Sequence, residues 1–113
     1  MKITDITLTL ESVANDSSVL VVEVNPYKEY ADGKPTDKVG GFRYACIAPS
    51  NKYAAFSIKV AEKKPAFTQE EIDANGGEIT ATPINFVGRF YRNNSGEYLL
   101  SAKADSMKQE VTA

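Results

Sequence analysis

Two runs of alternating apolar and polar residues stand out in Val39-Gly-Gly-Phe-Arg-Tyr-Ala-Cys-Ile-Ala-Pro-Ser-Asn-Lys-Tyr-Ala-Ala-Phe-Ser-Ile-Lys-Val60. In the second run the apolar residues Phe56, Ile58 and Val60 recur at every second position, as the aromatic residues do in the first. A period of two residues is typical of strands with one buried face. Because Pro49-Ser-Asn51 contains turn-forming residues, the stretch is predicted to form a β-hairpin whose aromatic face packs on a core.

The opposite face of this hairpin carries positive charge and an aromatic ring. Arg43 and Lys59 fall on that face by alternation, and Tyr53 is predicted to join them. An exposed combination of cations and rings is the one functional signal that these residues give on their own.

The flanking sequence predicts more strands and one short helix. We expect a strand through Ile6 to Leu10, a second at Val19–Val24, a long bent strand from Glu78 to Arg92 and a last strand from Glu97 to Ala104. Thr68-Gln-Glu-Glu71 is a capping box that begins a helix, which Asn75-Gly-Gly77 should end.

The remaining segments are predicted to be less regular. Residues 27–38 form a polar connection, interpreted as a mobile loop, with Asp32-Gly33 as a turn signal and the alternative of a hairpin tip. Residues 106–113 are expected to fray. One core should unite nine side chains: Leu20, Val22, Phe42, Tyr44, Phe56, Ile58, Phe86, Phe90 and Leu100.

The order of these elements indicates the fold class. The 113 residues are enough for one domain, 1–113. If the first strand is an N-terminal addition, three strands, a helix and two strands remain, which is the layout of the OB-fold. We therefore predict a mainly β protein, an OB-fold-like Greek-key barrel with an extra N-terminal strand and one short helix. A small open β-sandwich is the main alternative.

The charge is distributed unevenly along the chain. The net charge is −2, yet residues 34–64 hold six lysines and Arg43 against Asp37 and Glu62, a local balance of +5. Residues 1–33 and 65–113 are both acidic. Because salt limits electrostatic range to about 10 Å, a local basic surface can act on a polyanion even when the whole molecule is acidic. A solvated lysine surface with no partner is the competing interpretation.

The composition argues against catalysis. The chain has no histidine and a single cysteine, Cys46, so catalytic triads and thiolate metal cages are not expected. Gly40-Gly41 and Gly76-Gly77 match no phosphate-binding motif. We predict no enzyme activity, no catalytic residue, no metal and no cofactor. The N-terminus lacks the apolar run of a signal peptide or membrane span, so we expect a cytoplasmic protein without a membrane partner.

A family resemblance adds to this interpretation. Tyr30-Ala-Asp-Gly-Lys-Pro-Thr-Asp-Lys-Val39, followed by Phe42-Arg-Tyr44, and Leu99-Leu-Ser-Ala-Lys-Ala-Asp105 resemble small β-rich replication-accessory proteins of integrative conjugative elements. The similarity covers most of residues 18–106. Those proteins resemble single-stranded-DNA-binding OB-fold modules, and one type serves as a helicase processivity factor. The resemblance implies single-stranded DNA, or a helicase or other replication protein, as the partner.

The leading hypothesis is therefore an accessory module that binds single-stranded DNA with little sequence preference. Cations would contact phosphates and aromatic rings would stack on bases. The predicted contact residues are Arg43, Lys59, Arg89, Tyr91, Tyr53, Tyr30 and Lys34. The rival hypothesis is a protein-interaction or structural adaptor, a conjugative-element or phage component that uses a sheet edge and binds no nucleic acid. The acidic outer thirds of the chain favour the rival.

Overall fold

The computed structural model describes residues 2–110, except for the side chain of Tyr30. Strands account for 55% of the chain and helical segments for 16%, so the protein is mainly β. Short 3-10 turns occupy Ile3–Asp5 and Pro49–Asn51. The other elements are β1 (Thr7–Leu8), α1 (Leu10–Ala14), β2 (Val19–Ala31), β3 (Lys34–Ala48), β4 (Ala54–Val60), α2 (Gln69–Ala74), β5 (Ile79–Ile84), β6 (Val87–Arg92), β7 (Tyr98–Ala104) and β8 (Ser106–Gln109).

The eight strands of residues 2–110 form one sheet in the order β1-β6-β7-β4-β3-β2-β5-β8. Strands β5 and β6 are consecutive in the chain and separated only by Asn85 and Phe86, yet they lie near opposite ends of this order. The sheet must therefore curl until its ends approach, although it does not close. This architecture is consistent with an OB-like fold, which confirms the predicted fold class. There are two short helices in the described chain, however, rather than one.

The predicted central hairpin is confirmed as β3 and β4. Its register places Tyr44 opposite Ile58 and Cys46 opposite Phe56. Tyr44 and Ile58 are fully buried. The Tyr44 hydroxyl donates a hydrogen bond to Glu62 and accepts one from the Ala66 N–H at 2.8 Å. Burial, together with the bond to Glu62, raises the pKa of Tyr44.

The predicted core is right for the hairpin and wrong for β2. Phe42, Phe56 and Phe86 are partly buried and pack against the core, and Phe56 meets Phe86 edge to face. On β2 the buried residues are Val19, Val21 and Val24. Val19 and Val21 face inward in place of the predicted Leu20 and Val22, and the bulge between Val21 and Glu23 then turns Val24, rather than Glu23, toward the core. The four predicted core residues outside the buried cluster are only half-buried: Leu20, Val22, Phe90 and Leu100.

The N-terminal strand is much shorter than predicted. It ends at Leu8, and Leu10 belongs to α1 instead. The Thr9 side chain accepts a hydrogen bond from the Ser12 N–H and caps this helix. Leu10 and Ala14 are buried, so one turn of helix anchors the core where alternation predicted a strand and a turn.

The mobile-loop interpretation of residues 27–38 is also wrong. Strands β2 and β3 continue to Ala31 and Lys34, and only Asp32-Gly33 connects them. Both turn residues have positive φ, 53° and 77°, as a tight hairpin turn requires. The hairpin-tip alternative for Asp32-Gly33 is thus the correct one.

The sequence predicts a second strand that ends at Val24, but β2 continues through Pro26. The N–H of Val24 bonds to the side chain of Gln69 at 3.0 Å, on the side of β2 that faces away from β3. Pro26 follows two residues later, so its nitrogen points to that same open side. A proline is tolerated there because no ladder hydrogen bond is lost.

The C-terminal segment is more ordered than expected. Ser106–Gln109 was predicted to fray but forms β8, which pairs with β5. Buried Met107 attaches this edge strand to the core. The end of that predicted tail, 111–113, lies outside the described residues.

Helix α2 follows its sequence signals. Thr68 and Glu71 form the predicted capping box, Ile72 is fully buried, and Gly76 and Gly77 have positive φ after the helix. Across residues 2–110, helices of sufficient length and apolar character to cross a membrane are not found.

Candidate nucleic-acid interface

Three cations lie side by side on the exposed face of the sheet. Arg43 on β3 is the register partner of Lys59 on β4, and Lys59 is the partner of Lys103 on β7. Neighbouring strands are about 4.8 Å apart, so this cationic row spans about 10 Å. All three side chains are exposed. The row presents a spacing of positive charge suited to an extended polyanion.

An aromatic ring covers the middle of the cationic row. The Lys59 ammonium lies 5.4 Å from the centroid of the Tyr27 ring, within the range of a cation–π contact. Two glycines of β3 make room for this ring. A Cβ on Gly40 would lie 3.0 Å from Tyr27 Cε2, and one on Gly41 would lie 2.8 Å from the Tyr27 hydroxyl and 2.1 Å from the Val60 carbonyl oxygen. Gly40 and Gly41 thus allow Tyr27 to lie across the strand.

A groove of about 500 Å³ runs beside the cationic row. Arg43 and Lys59 line one side of it, and Tyr91 of β6 lines the other. Its polar lining also includes the hydroxyls of Ser57 and Ser101. On the far side of the row, Arg43 and Lys59 contribute to a second groove with Tyr27. The structure thus brings together the predicted contact residues Arg43, Lys59 and Tyr91, and adds Tyr27 beside them.

Arg89 lies next to this groove. Its register partner on β7 is Ser101, which lines the groove, so the two side chains share a face. Arg89 and Tyr91 are both exposed, as predicted for alternate positions of one strand. The cation of Arg89 therefore extends the positive surface onto β6.

The other predicted contact residues lie apart. Tyr53 is 72% exposed but sits at the β3–β4 turn. It is six residues from Lys59, which is about 20 Å of strand. Lys34 is exposed near the tip of the β2–β3 hairpin, nine residues from Arg43 and about 30 Å away along the strand. Tyr30 is in β2, opposite Pro35, and its side chain lies outside the described residues.

Sequence reasoning missed Tyr27 and Lys103. Tyr27 falls in the polar connection of residues 27–38, which the sequence predicts to be a loop. Lys103 falls on the solvent face of β7 by alternation, which the sequence does indicate. Its place beside Lys59 depends on the parallel pairing of β4 with β7, and no local signal in the sequence predicts that pairing.

The groups on this surface have the chemistry to bind anions and flat ligands. Guanidinium, ammonium and hydroxyl groups can hold phosphate oxygens, and exposed rings can stack on flat ligands. Among residues 2–110, no three acidic or cysteine side chains are grouped to hold a metal ion. Cys46 is buried beneath the sheet, away from this surface.

Comparison of the chain with protein-family models, with curated proteins and with solved structures gives no match in any of the three.

Proposed function

We propose that this protein is a non-catalytic accessory module that binds single-stranded DNA with little sequence preference, in the replication or transfer of mobile DNA. The observation that carries the proposal is the cationic row. Like charges directly opposite each other in a sheet are destabilising, so Arg43, Lys59 and Lys103 oppose the stability of the fold. A polyanion bound along the row would relieve that repulsion and release its own counterions.

The aromatic residues favour a single strand over a duplex. Tyr27 and Tyr91 flank the cations, and Tyr91 is 46% exposed. Stacking on a tyrosine requires a base whose face is accessible, and the bases of a duplex are stacked on each other. Cations with interleaved rings are the combination used by proteins that bind single strands.

The position of the surface in the fold is a further support. In OB-folds the ligand lies on the second and third strands of the barrel and on neighbouring loops. Here β2, β3 and β4 form the three-stranded meander, and its second and third strands carry Arg43 and Lys59.

Fluorescence anisotropy with a labelled single-stranded oligonucleotide tests the proposal. Binding should be detectable at low salt and should weaken as salt rises, with a slope of about −0.7 for each phosphate contact. Lys59→Ala should weaken binding and reduce the slope. Lys108→Ala is the matched control, because Lys108 is an exposed strand lysine on β8 that lines neither groove.

Two outcomes would contradict the proposal. If single-stranded and duplex DNA both fail to bind at low salt, the protein-interaction hypothesis takes precedence. If Lys59→Ala and Lys108→Ala reduce the slope equally, binding is diffuse and the cationic row is not the site.

A further inference from the structure

Strands β4 and β7 are paired along only part of their length. Their parallel ladder joins residues 58–60 to residues 102–104. Within the described chain, the preceding parts of the two strands, 54–57 in β4 and 98–101 in β7, do not pair with each other. The sheet therefore contains an internal fork between β4 and β7. The groove of about 500 Å³ lies at the closed end of this fork, with Ser57 on one side and Ser101 on the other.

Hydrogen bonds of the β6–β7 hairpin show which backbone groups of β7 point into the fork. The Asn93 N–H donates to the Glu97 carbonyl at 2.9 Å, so these residues form a hydrogen-bonded pair of the hairpin. Such pairs alternate along an antiparallel ladder, so Leu99 and Ser101 also bond toward β6. The N–H and C=O of Leu100, between them, therefore point into the fork.

The same alternation identifies the fork-facing groups of β4. The Val24 N–H points away from β3, so its register partner Tyr44 directs its backbone groups toward β4, where its partner is Ile58. Ala55 and Ser57 are an odd number of residues from Ile58. Their backbone groups therefore point away from β3 and into the fork.

The edge of β4 in the fork carries none of the usual protection. Natural sheet edges are commonly protected by lysine, proline or a bulge. Residues 54–57 are Ala-Ala-Phe-Ser, and their register against β3 is regular. Ala55 and Ser57 are exposed. This edge is therefore open to pairing with an added strand.

A peptide complements this edge better than a nucleic acid does. A peptide backbone offers N–H donors and C=O acceptors in alternation, as the edge of β4 does, whereas a phosphodiester backbone offers only acceptors. Across the fork, Tyr91 and Leu99 are register partners, 46% and 39% exposed. They provide an apolar contact for a side chain of such a peptide.

Charge at the closed end of the fork favours an acidic peptide. Arg43 and Lys59 line the groove there, and none of the described residues that line it is acidic. A carboxylate would offset the repulsion between these neighbouring cations. Leu99 precedes Lys103, the register partner of Lys59, by four residues, or about 13 Å of strand. An apolar and an acidic side chain about four positions apart would therefore meet both features.

We infer that the fork binds an extended peptide of a protein partner, which pairs with the edge of β4 and carries an apolar residue and an acidic residue about four positions apart. The inference goes beyond the proposed function and does not rest on it. Because the peptide and single-stranded DNA would both use Arg43 and Lys59, the two ligands would compete.

Fluorescence anisotropy with labelled peptides of about nine residues tests the inference. The first peptide has a central Phe, Asp at both ends, and Thr and Val between them, so it presents the required spacing in either direction. It should bind at low salt. A version N-methylated at its central backbone nitrogens, and a version with Lys in place of Asp, should each bind at least about tenfold more weakly.

Two results with these peptides would overturn the inference. One is failure of the first peptide to bind at low salt. The other is equal affinity for the N-methylated version, which would mean that charge alone attracts the peptide. Because the experiment contains no DNA, either result leaves the proposed function standing.

A pair of variants at one position locates the contact. Ala55→Pro removes an N–H that points into the fork, keeps the ladder with β3, and should weaken peptide binding about tenfold. Ala55→Val keeps that N–H and should bind within about twofold of the parent protein. Equal affinity in the two variants, with thermal melts showing that both fold, would contradict pairing with β4. If Ala55→Pro does not fold, the N-methylated peptide decides the question.

Light scattering of the parent protein distinguishes a peptide from a second copy of this chain. We expect a monomer at the concentrations used for the titrations. A dimer that Ala55→Pro converts to monomer would show that the edge of a second copy occupies the fork, and would overturn the inference.

Discussion

The ammonium group of Lys59 lies 5.4 Å from the centre of the Tyr27 ring, at the middle of a row of three cations. The contact has a structural consequence and a functional one. It offsets part of the repulsion that Lys59 feels from Arg43 and Lys103 on either side. It also holds an aromatic face where a bound strand would pass.

The first prediction separates the ring of Tyr27 from its hydroxyl. Tyr27→Ala should weaken binding of single-stranded DNA by about 1–3 kcal/mol, because a stacking surface is lost. Tyr27→Phe keeps the ring and should bind like the parent protein. Both affinities can be measured by anisotropy over a series of salt concentrations. Equal losses in the two variants would mean that the hydroxyl, and not the stacked ring, makes the contact.

The second prediction concerns the open edge of β2. The Gln69 side chain accepts a hydrogen bond from the Val24 N–H at 3.0 Å, and its amide nitrogen donates to the Val22 carbonyl at 3.4 Å. Gln69→Ala should lower the free energy of unfolding by about 1–3 kcal/mol, since a part-buried N–H then loses its partner. Denaturant melts provide the measurement.

Glu70→Ala is the control for Gln69→Ala, because Glu70 is the next residue of α2 and is exposed. Its effect on the free energy of unfolding should stay within about 0.5 kcal/mol. If both variants unfold at the same denaturant concentration, the side-chain bonds of Gln69 do not stabilise the edge of β2.

The sequence predicts the parts of this fold that depend on local chemistry. The alternation of Val39–Val60 predicts the hairpin, and the capping box at Thr68 predicts the start of α2, because both signals act within a few residues. The alternation also places Arg43 and Lys59 on one face.

The parts that could not be predicted depend on contacts between distant segments. Val19 and Val21, rather than Leu20 and Val22, face the core, and apolar residues fill both faces of that strand, so its sequence does not reveal which face packs inward. Pro26 is tolerated because its nitrogen lies on the side of β2 away from β3, where no ladder hydrogen bond is lost, and the local sequence does not show that this side is open. Lys103 joins the candidate site through the β4–β7 pairing alone.

The third prediction follows from the burial of Cys46. Burial raises the pKa of the Cys46 thiol to about 12. The thiol in an unfolded chain has a pKa of about 8.5, so at pH 8 Cys46 should react with a thiol reagent far more slowly in the native protein than in denaturant. Rapid labelling of the native protein would show that β3 opens readily at this position.

The raised pKa of Cys46 also makes the free energy of unfolding depend on pH. Because the folded pKa is higher than the unfolded one, the contribution of Cys46 is complete below about pH 8.5 and is lost as the pH rises toward 12. Between pH 8 and pH 10 the free energy of unfolding should fall by about 1–2 kcal/mol on account of this group. Cys46→Ala should show a correspondingly smaller fall. An identical pH profile for the variant and the parent would contradict this origin of the dependence.

The last prediction removes a charge and a ring separately from one strand. Arg89 and Tyr91 are both exposed on β6, opposite Ser101 and Leu99 of β7. Arg89→Ala should reduce the slope of the salt dependence by about 0.7, since one phosphate contact is lost. Tyr91→Ala should cost about 1–3 kcal/mol of binding and leave that slope nearly unchanged, since a stacked base is lost instead.

Thermal melts of the same two variants control for folding. Both side chains lie on the solvent face, so the melting temperatures should stay close to that of the parent protein. If both variants bind like the parent, this part of β6 is ordinary surface and the site ends at the cationic row. If Tyr91→Ala changes the slope as much as Arg89→Ala does, the two residues do not contact the strand through separate stacking and phosphate interactions, and the groove must hold the strand in another orientation.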